Sequence, residues 1–194
     1  MFPFRRICLA LLLYASALVN AQDKEALIII DIQDFYFPGG DMALSEPEAA
    51  AENAALLLEK FREKNDLIIH VRHNYEPGGT INERITPLDD ESIIRKDQVN
   101  AFLGTGLDSI LRANEINTLV LCGMQTHMCL EAATRAGADL GYTCIVISDA
   151  CATRDLTFGG RTVVAEDVQA STLAGLRSYA KILSAREYRD TNPQ

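Results

Sequence analysis

The sequence predicts a doubly wound α/β domain, with a mostly parallel sheet of about six strands and helices on both faces. Two observations carry this. Four apolar runs, 26–32, 66–71, 117–123 and 143–150, are rich in β-branched residues and lack polar alternation. Each reads as a strand buried on both faces, as in a parallel sheet. Between them lie segments with helical periodicity, and such alternation implies right-handed crossovers. With 194 residues, 48% of them hydrophobic, and no internal repeat, the chain suits one domain with a full core.

The elements follow in order. Arg5 and Arg6 precede an apolar stretch at 7–19, and Val19-Asn20-Ala21 fits a small-x-small cleavage site. The pattern predicts a signal peptide over 1–21 and one mature domain over 22–194, periplasmic or secreted. The alternative is an uncleaved membrane anchor, for which the apolar stretch is short. The strand 26–32 comes next. Ser45 and Glu48 then have capping-box spacing, Pro47 suits a first helical turn, and Ala54, Leu57, Leu58 and Phe61 form one face. After the strand 66–71, "ESIIRK" (91–96) reads as a short strand and 106–115 as a short helix. The strand 117–123 leads into a helix whose face is Cys129, Ala132, Ala133, Ala136 and Leu140, ending near Gly141. The strand 143–150, a helix marked by Val168, Thr172, Leu176 and Tyr179, and a last strand at 180–185 complete the pattern.

The net charge is −9, and −11 once Arg5 and Arg6 leave with the leader. An acidic surface argues against nucleic acid or an anionic membrane as partner. The mature chain keeps cysteines 122, 129, 144 and 151, which allow three full pairings that sequence cannot rank.

In such folds ligands bind beyond the carboxyl ends of the strands. That rule brings three residues to one edge. Asp31 ends the first strand, where a carboxylate is costly to bury without a partner. Lys96 ends the 91–96 strand, and alternation sends Arg95 to the opposite face. Cys129 opens a helix, where unpaired N–H groups and the helix dipole favour the thiolate. Its structural alternative is a buried packing cysteine. His70 lies in an apolar run and reads as packing, while His73 and His127 read as polar lining of a pocket. These histidines do not complete a zinc ligand set, so no metal is expected. The pairs "PGG" (38–40, 77–79) and "FGG" (158–160) lack phosphate-loop spacing and read as turns, so no nucleotide cofactor is implied.

Three ordered motifs carry a family resemblance: "ALIIIDIQDFY", "IIRKDQVNAF" and "LVLCGMQTHMCLEAATRAGADLGY". From about residue 25 to about residue 180 the chain resembles the isochorismatase-like cysteine hydrolases, in particular the amidase-type branch with streptothricin hydrolase-like proteins. The resemblance implies Cys129 as nucleophile, Asp31 as general base and Lys96 as third member of a triad. It implies a non-proline cis peptide at Met124–Gln125, with the Gln125 and Cys129 N–H groups forming an oxyanion hole. It matches Phe102 to a pocket aromatic, with Phe35 as a second wall. It implies hydrolysis of a non-peptide C–N bond in a small molecule, no cofactor, and a homo-oligomer. "IIHVRHNYEPGG" departs from the metal cluster of nicotinamidases, so nicotinamide is not the expected substrate. Enol-ether hydrolysis and a silent small-ligand-binding protein are the alternatives.

Overall fold

A computed structural model describes residues 23–191. The expected leader over 1–21 lies outside the described residues. Six parallel strands form one sheet: β1 (Glu25–Ile30), β2 (Leu67–His73), β3 (Ser92–Lys96), β4 (Thr118–Met124), β5 (Thr143–Ala152) and β8 (Ala180–Leu183). Their spatial order is β3-β2-β1-β4-β5-β8, so the winding reverses between β1 and β4. Four of them are the apolar runs, and β3 and β8 fall on the two other predicted strands, 91–96 and 180–185.

Period-two alternation divides the strand residues between two cores. On one face, Leu27, Ile29, Val120 and Cys122 pack against α1 (Pro47–Lys64) and α5 (Ala185–Thr191). On the other, Ile28, Ile30, Val71 and Leu121 pack against α2 (Leu107–Ala113) and the start of α3 (Glu131–Asp139). A fourth helix, α4 (Ala165–Leu176), joins this second layer beside α3. Among the described residues no helix is long and apolar enough to cross a membrane.

Several local expectations are corrected. The Ser45–Glu48 capping box does not form, because the N-cap is Glu46, in the left-handed region at φ 50°. The spacing is therefore one residue out of phase, and the Ser45 N–H instead donates to Thr153 O at 2.8 Å. The helix after β4 starts with a π-turn over Thr126–Leu130. That wider turn moves the buried face to Leu130, Ala133, Thr134 and Gly137, and leaves Leu140 41% exposed. The helix expected over 168–179 begins at Ala165, whose N–H is capped from a distance by Asp155 Oδ1 at 2.8 Å. Tyr179 falls beyond its end.

Two elements had no expectation. The hairpin β6 (Leu156–Phe158) and β7 (Arg161–Val163) is linked by Gly159 and Gly160, both at positive φ, as a two-residue hairpin turn demands. Phe158 at its tip is 91% exposed. Helix α5 carries the buried Tyr188, which stacks on Phe61 and donates to Glu25 Oε2 at 2.6 Å.

One glycine sets the strand spacing at the reversal point. Gly123 sits at φ 125°, and a Cβ there would meet Ile30 O at 1.9 Å. Replacing it forces β4 away from β1 where the two strands deliver their end residues. Gly123→Ala is expected to destabilise the protein by about 3 kcal/mol or more, read by chemical denaturation. Unchanged stability would show that the two backbones have room to separate.

Candidate active site

The winding reverses between β1 and β4, and the carboxyl ends of strands at such a reversal are where these folds place ligands. Asp31 follows β1 with φ 49°, a region non-glycine residues enter at a cost. Its N–H continues the sheet by donating to Val71 O at 2.9 Å, so the carboxylate is turned in while the backbone stays paired. On β3, Ile94 and Lys96 are buried and Arg95 is exposed, as alternation requires. His73, at the end of β2, pairs in register with Lys96. Cys129 comes from the π-turn after β4.

These residues converge. Lys96 Nζ lies 2.7 Å from Asp31 Oδ2. It donates to His73 Nδ1 at 2.9 Å and to Cys129 Sγ at 3.3 Å. Asp31, Lys96 and Cys129 are 0%, 1% and 4% exposed. The Lys96–Asp31 contact is a fully buried ion pair, and the Cys129 thiol also bonds to the carboxylate. The ligand atoms of Asp31, His73 and Cys129 lie within 4.8 Å of one another, as a metal site would require. The Lys96 ammonium already fills the space among them, touching all three.

Burial governs the acidities here. It raises the Asp31 pKa, and the Lys96 charge works against the rise. Burial and then the Asp31 carboxylate push the Cys129 thiol up to about 12, with Lys96 pulling it down. The resting cysteine is therefore a thiol. That corrects the expectation of a thiolate favoured by a helix start: removal from water and an adjacent carboxylate outweigh the dipole. The adjacent Asp31 carboxylate is placed to take the thiol proton.

The other sequence-predicted residues disperse. His73 touches the trio through Lys96. His127 sits beside it in the π-turn, its Nδ1 against Thr153 Oγ1 at 2.6 Å. Phe35 is buried between Tyr36 and Tyr75, and Phe102 stacks on Tyr142 near Gly137. The Met124–Gln125 peptide is cis. His70 is committed elsewhere: its Nε2 meets Glu91 Oε2 at 2.9 Å, in a cluster closed by Arg62. A cleft of about 650 Å³ opens between the starts of α1 and α4, and none of the trio lines it.

Two residues went unread. The Gln33 side chain accepts from His73 N at 2.8 Å and donates to His73 O at 3.0 Å, clamping the end of β2. Tyr36 OH accepts from Gln125 Nε2 at 3.3 Å, and the phenol feels the charges of Cys129 and Asp31. Burial raises the Tyr36 pKa, so it stays a protonated donor. Both follow Asp31 within "DIQDFY", and buried polar side chains so close to a strand end were the available signal.

Comparison with known proteins gives the following. Residues 25–183 match the isochorismatase domain family model. The chain is 39% identical over 175 residues to the uncharacterised isochorismatase family protein YddQ of Bacillus subtilis, covering 84% of this chain and 97% of that one. It is 28% identical over 151 residues to maleamate amidohydrolase of Pseudomonas putida, covering 65% and 71%. A crystal structure of an isochorismatase-type hydrolase from Oleispira antarctica superimposes with a TM-score of 0.82 at 40% identity, covering 86% of this chain and 96% of that one.

Among the described residues all four cysteines are free and buried. Exposure alone would favour modification of Cys151, at 7%, over Cys129, at 4%. Only Cys129 has a carboxylate to take its proton and an ammonium beside its sulfur. Limiting iodoacetamide is expected to label Cys129 ahead of Cys122, Cys144 and Cys151, read by peptide mass spectrometry. Faster labelling of Cys151 would show that access, and not this environment, sets reactivity.

Proposed function

The chain belongs to the isochorismatase family, and on that premise we propose that it hydrolyses a non-peptide C–N bond of a small molecule through a thioester on Cys129. The observation that carries this reading is the single buried ammonium of Lys96, in contact with both the Asp31 carboxylate and the Cys129 sulfur. An amidohydrolase among the relatives supports the reaction class.

The chemistry runs in two halves. Asp31 takes the thiol proton as Sγ bonds to the substrate carbonyl carbon. The carbonyl electron pair moves onto oxygen, where the Gln125 and Cys129 N–H groups receive it. Such a donor contributes about 3 kcal/mol in comparable sites. Collapse breaks the C–N bond, and Asp31 returns its proton to the leaving nitrogen. Water then attacks the thioester carbon, giving one proton to Asp31. The C–S bond breaks, the carboxylic acid leaves, and Asp31 reprotonates the sulfur. Lys96 stays charged throughout and balances whichever partner holds the negative charge.

The leader pattern supports a further proposal, that the enzyme is exported and cleaved after Ala21. The mature protein purified from its host is then expected to begin at Gln22, read by intact mass.

The decisive experiment is an amide-library screen with trapping of the acyl adduct. Cys129→Ala is expected to lower turnover at least roughly a thousandfold, and the wild-type adduct is expected on Cys129 alone. Full activity in the alanine variant would rule out the thioester route and favour enol-ether hydrolysis on the same fold.

A further inference from the structure

We propose that His73 is a positioning residue that holds the Lys96 ammonium between Asp31 and Cys129, and that protonating His73 disarms the site. The inference rests on the cysteine-hydrolase reading above.

The geometry begins with Lys96. An ammonium has three donors and no acceptor. Lys96 Nζ meets three groups: Asp31 Oδ2 at 2.7 Å, His73 Nδ1 at 2.9 Å and Cys129 Sγ at 3.3 Å. Two of these exchange a proton during the reaction. His73 is the only contact whose state the chemistry leaves alone. A neutral acceptor suits that place. A second anion would hold Lys96 too tightly on one side, and an apolar residue would leave a buried N–H without a partner.

The contact also fixes the histidine tautomer. Nδ1 can accept from an ammonium only when it carries no proton, so the ring hydrogen is on Nε2. The residue is held through its backbone. Gln33 clamps the His73 backbone by both its N–H and its carbonyl, and donates a further bond to Gly79 O at 2.6 Å. Gln33 is itself 0% exposed. Register pairing of His73 with Lys96 across β2 and β3 completes the frame.

Protonation at Nδ1 would place two cationic donors 2.9 Å apart with no acceptor between them. The ammonium must then leave, or the ring must turn. The charged and titratable groups facing His73 are Lys96 on β3, Asp97 just after it, Asp31 after β1, and the Cys129 sulfur. Burial lowers the His73 pKa, the Lys96 charge adds to that, and Asp31 and Asp97 oppose it. His73 is accordingly neutral at neutral pH, and reactivity falls as pH drops through its depressed pKa.

The test needs no substrate, because the rate of Cys129 alkylation by iodoacetamide reads the site directly. Three full-length proteins are compared across pH: wild type, His73→Ala and His73→Asn. The asparagine oxygen can replace Nδ1 as a non-titrating acceptor. His73→Ala is expected to slow Cys129 alkylation roughly ten- to a hundredfold at neutral pH. His73→Asn is expected to restore it to within about threefold, and to move the acid fall-off to lower pH than in wild type. An alanine variant as fast as wild type overturns the proposal. So does an asparagine variant no better than alanine, or one with an unmoved acid limb. If wild-type Cys129 is not alkylated in preference to the other cysteines, the cysteine-hydrolase reading itself fails instead.

Discussion

The structure depends on one buried charge. Lys96 is 1% exposed, and an ammonium so far from water is stable only among acceptors. Its acceptors come from three separate places: Asp31 after β1, His73 at the end of β2 and Cys129 in the turn after β4. The chain between residues 31 and 129 spans most of the sheet, so this contact forms only once β3, β2, β1 and β4 are laid side by side. Fold and site are therefore one requirement. The parallel order brings the strand ends together, and the ammonium holds together side chains that would otherwise be costly to bury.

The same cation ties together the acidities of Asp31 and Cys129. Burial raises the pKa of both, and the Asp31 carboxylate raises the thiol further while Lys96 opposes each rise. Two anions cannot coexist there, but one can, opposite Lys96. The stable arrangements are carboxylate with thiol or carboxylic acid with thiolate, each neutral overall with the ammonium. Moving one proton from Sγ to Asp31 changes which partner is charged and leaves the total unchanged.

Much of this was legible in the sequence. A strand buried on both faces leaves a plain apolar signature, which β1, β2, β4 and β5 carry and the partly exposed β3 and β8 carry weakly. Asp31 and Lys96 drew attention by ending strands at one sheet edge, and alternation separates Lys96 from Arg95. What the sequence hid was long-range or irregular. The π-turn at Thr126–Leu130 inserts a residue that no 3.6-residue pattern anticipates, and it moved the buried face of α3 by one position. Asp155 caps α4 from ten residues away, outside any local capping motif. The bond between His73 and Lys96 depends on strand register, which one chain read in order does not give. Phe35 and Phe102, both matched to pocket walls by family likeness, lie against Tyr75 and Tyr142. An aromatic residue near a site in sequence has many apolar neighbours to choose from.

The meeting of the trio also depends on how closely β1 and β4 approach at their ends. Gly123 admits the Ile30 carbonyl to a distance no side chain would allow, so the strands stay tight until their last residue. The next peptides diverge abruptly, Asp31 through a left-handed backbone and Met124–Gln125 through a cis bond. Beyond that point lie the Tyr36 hydroxyl and the Gln125 amide, bonded to each other and buried, with Gln125 Oε1 lacking any partner. A buried acceptor beside a protonated phenol is costly to leave unsatisfied, so the ends of β1 and β4 carry a polar pair that the apolar strands behind them do not.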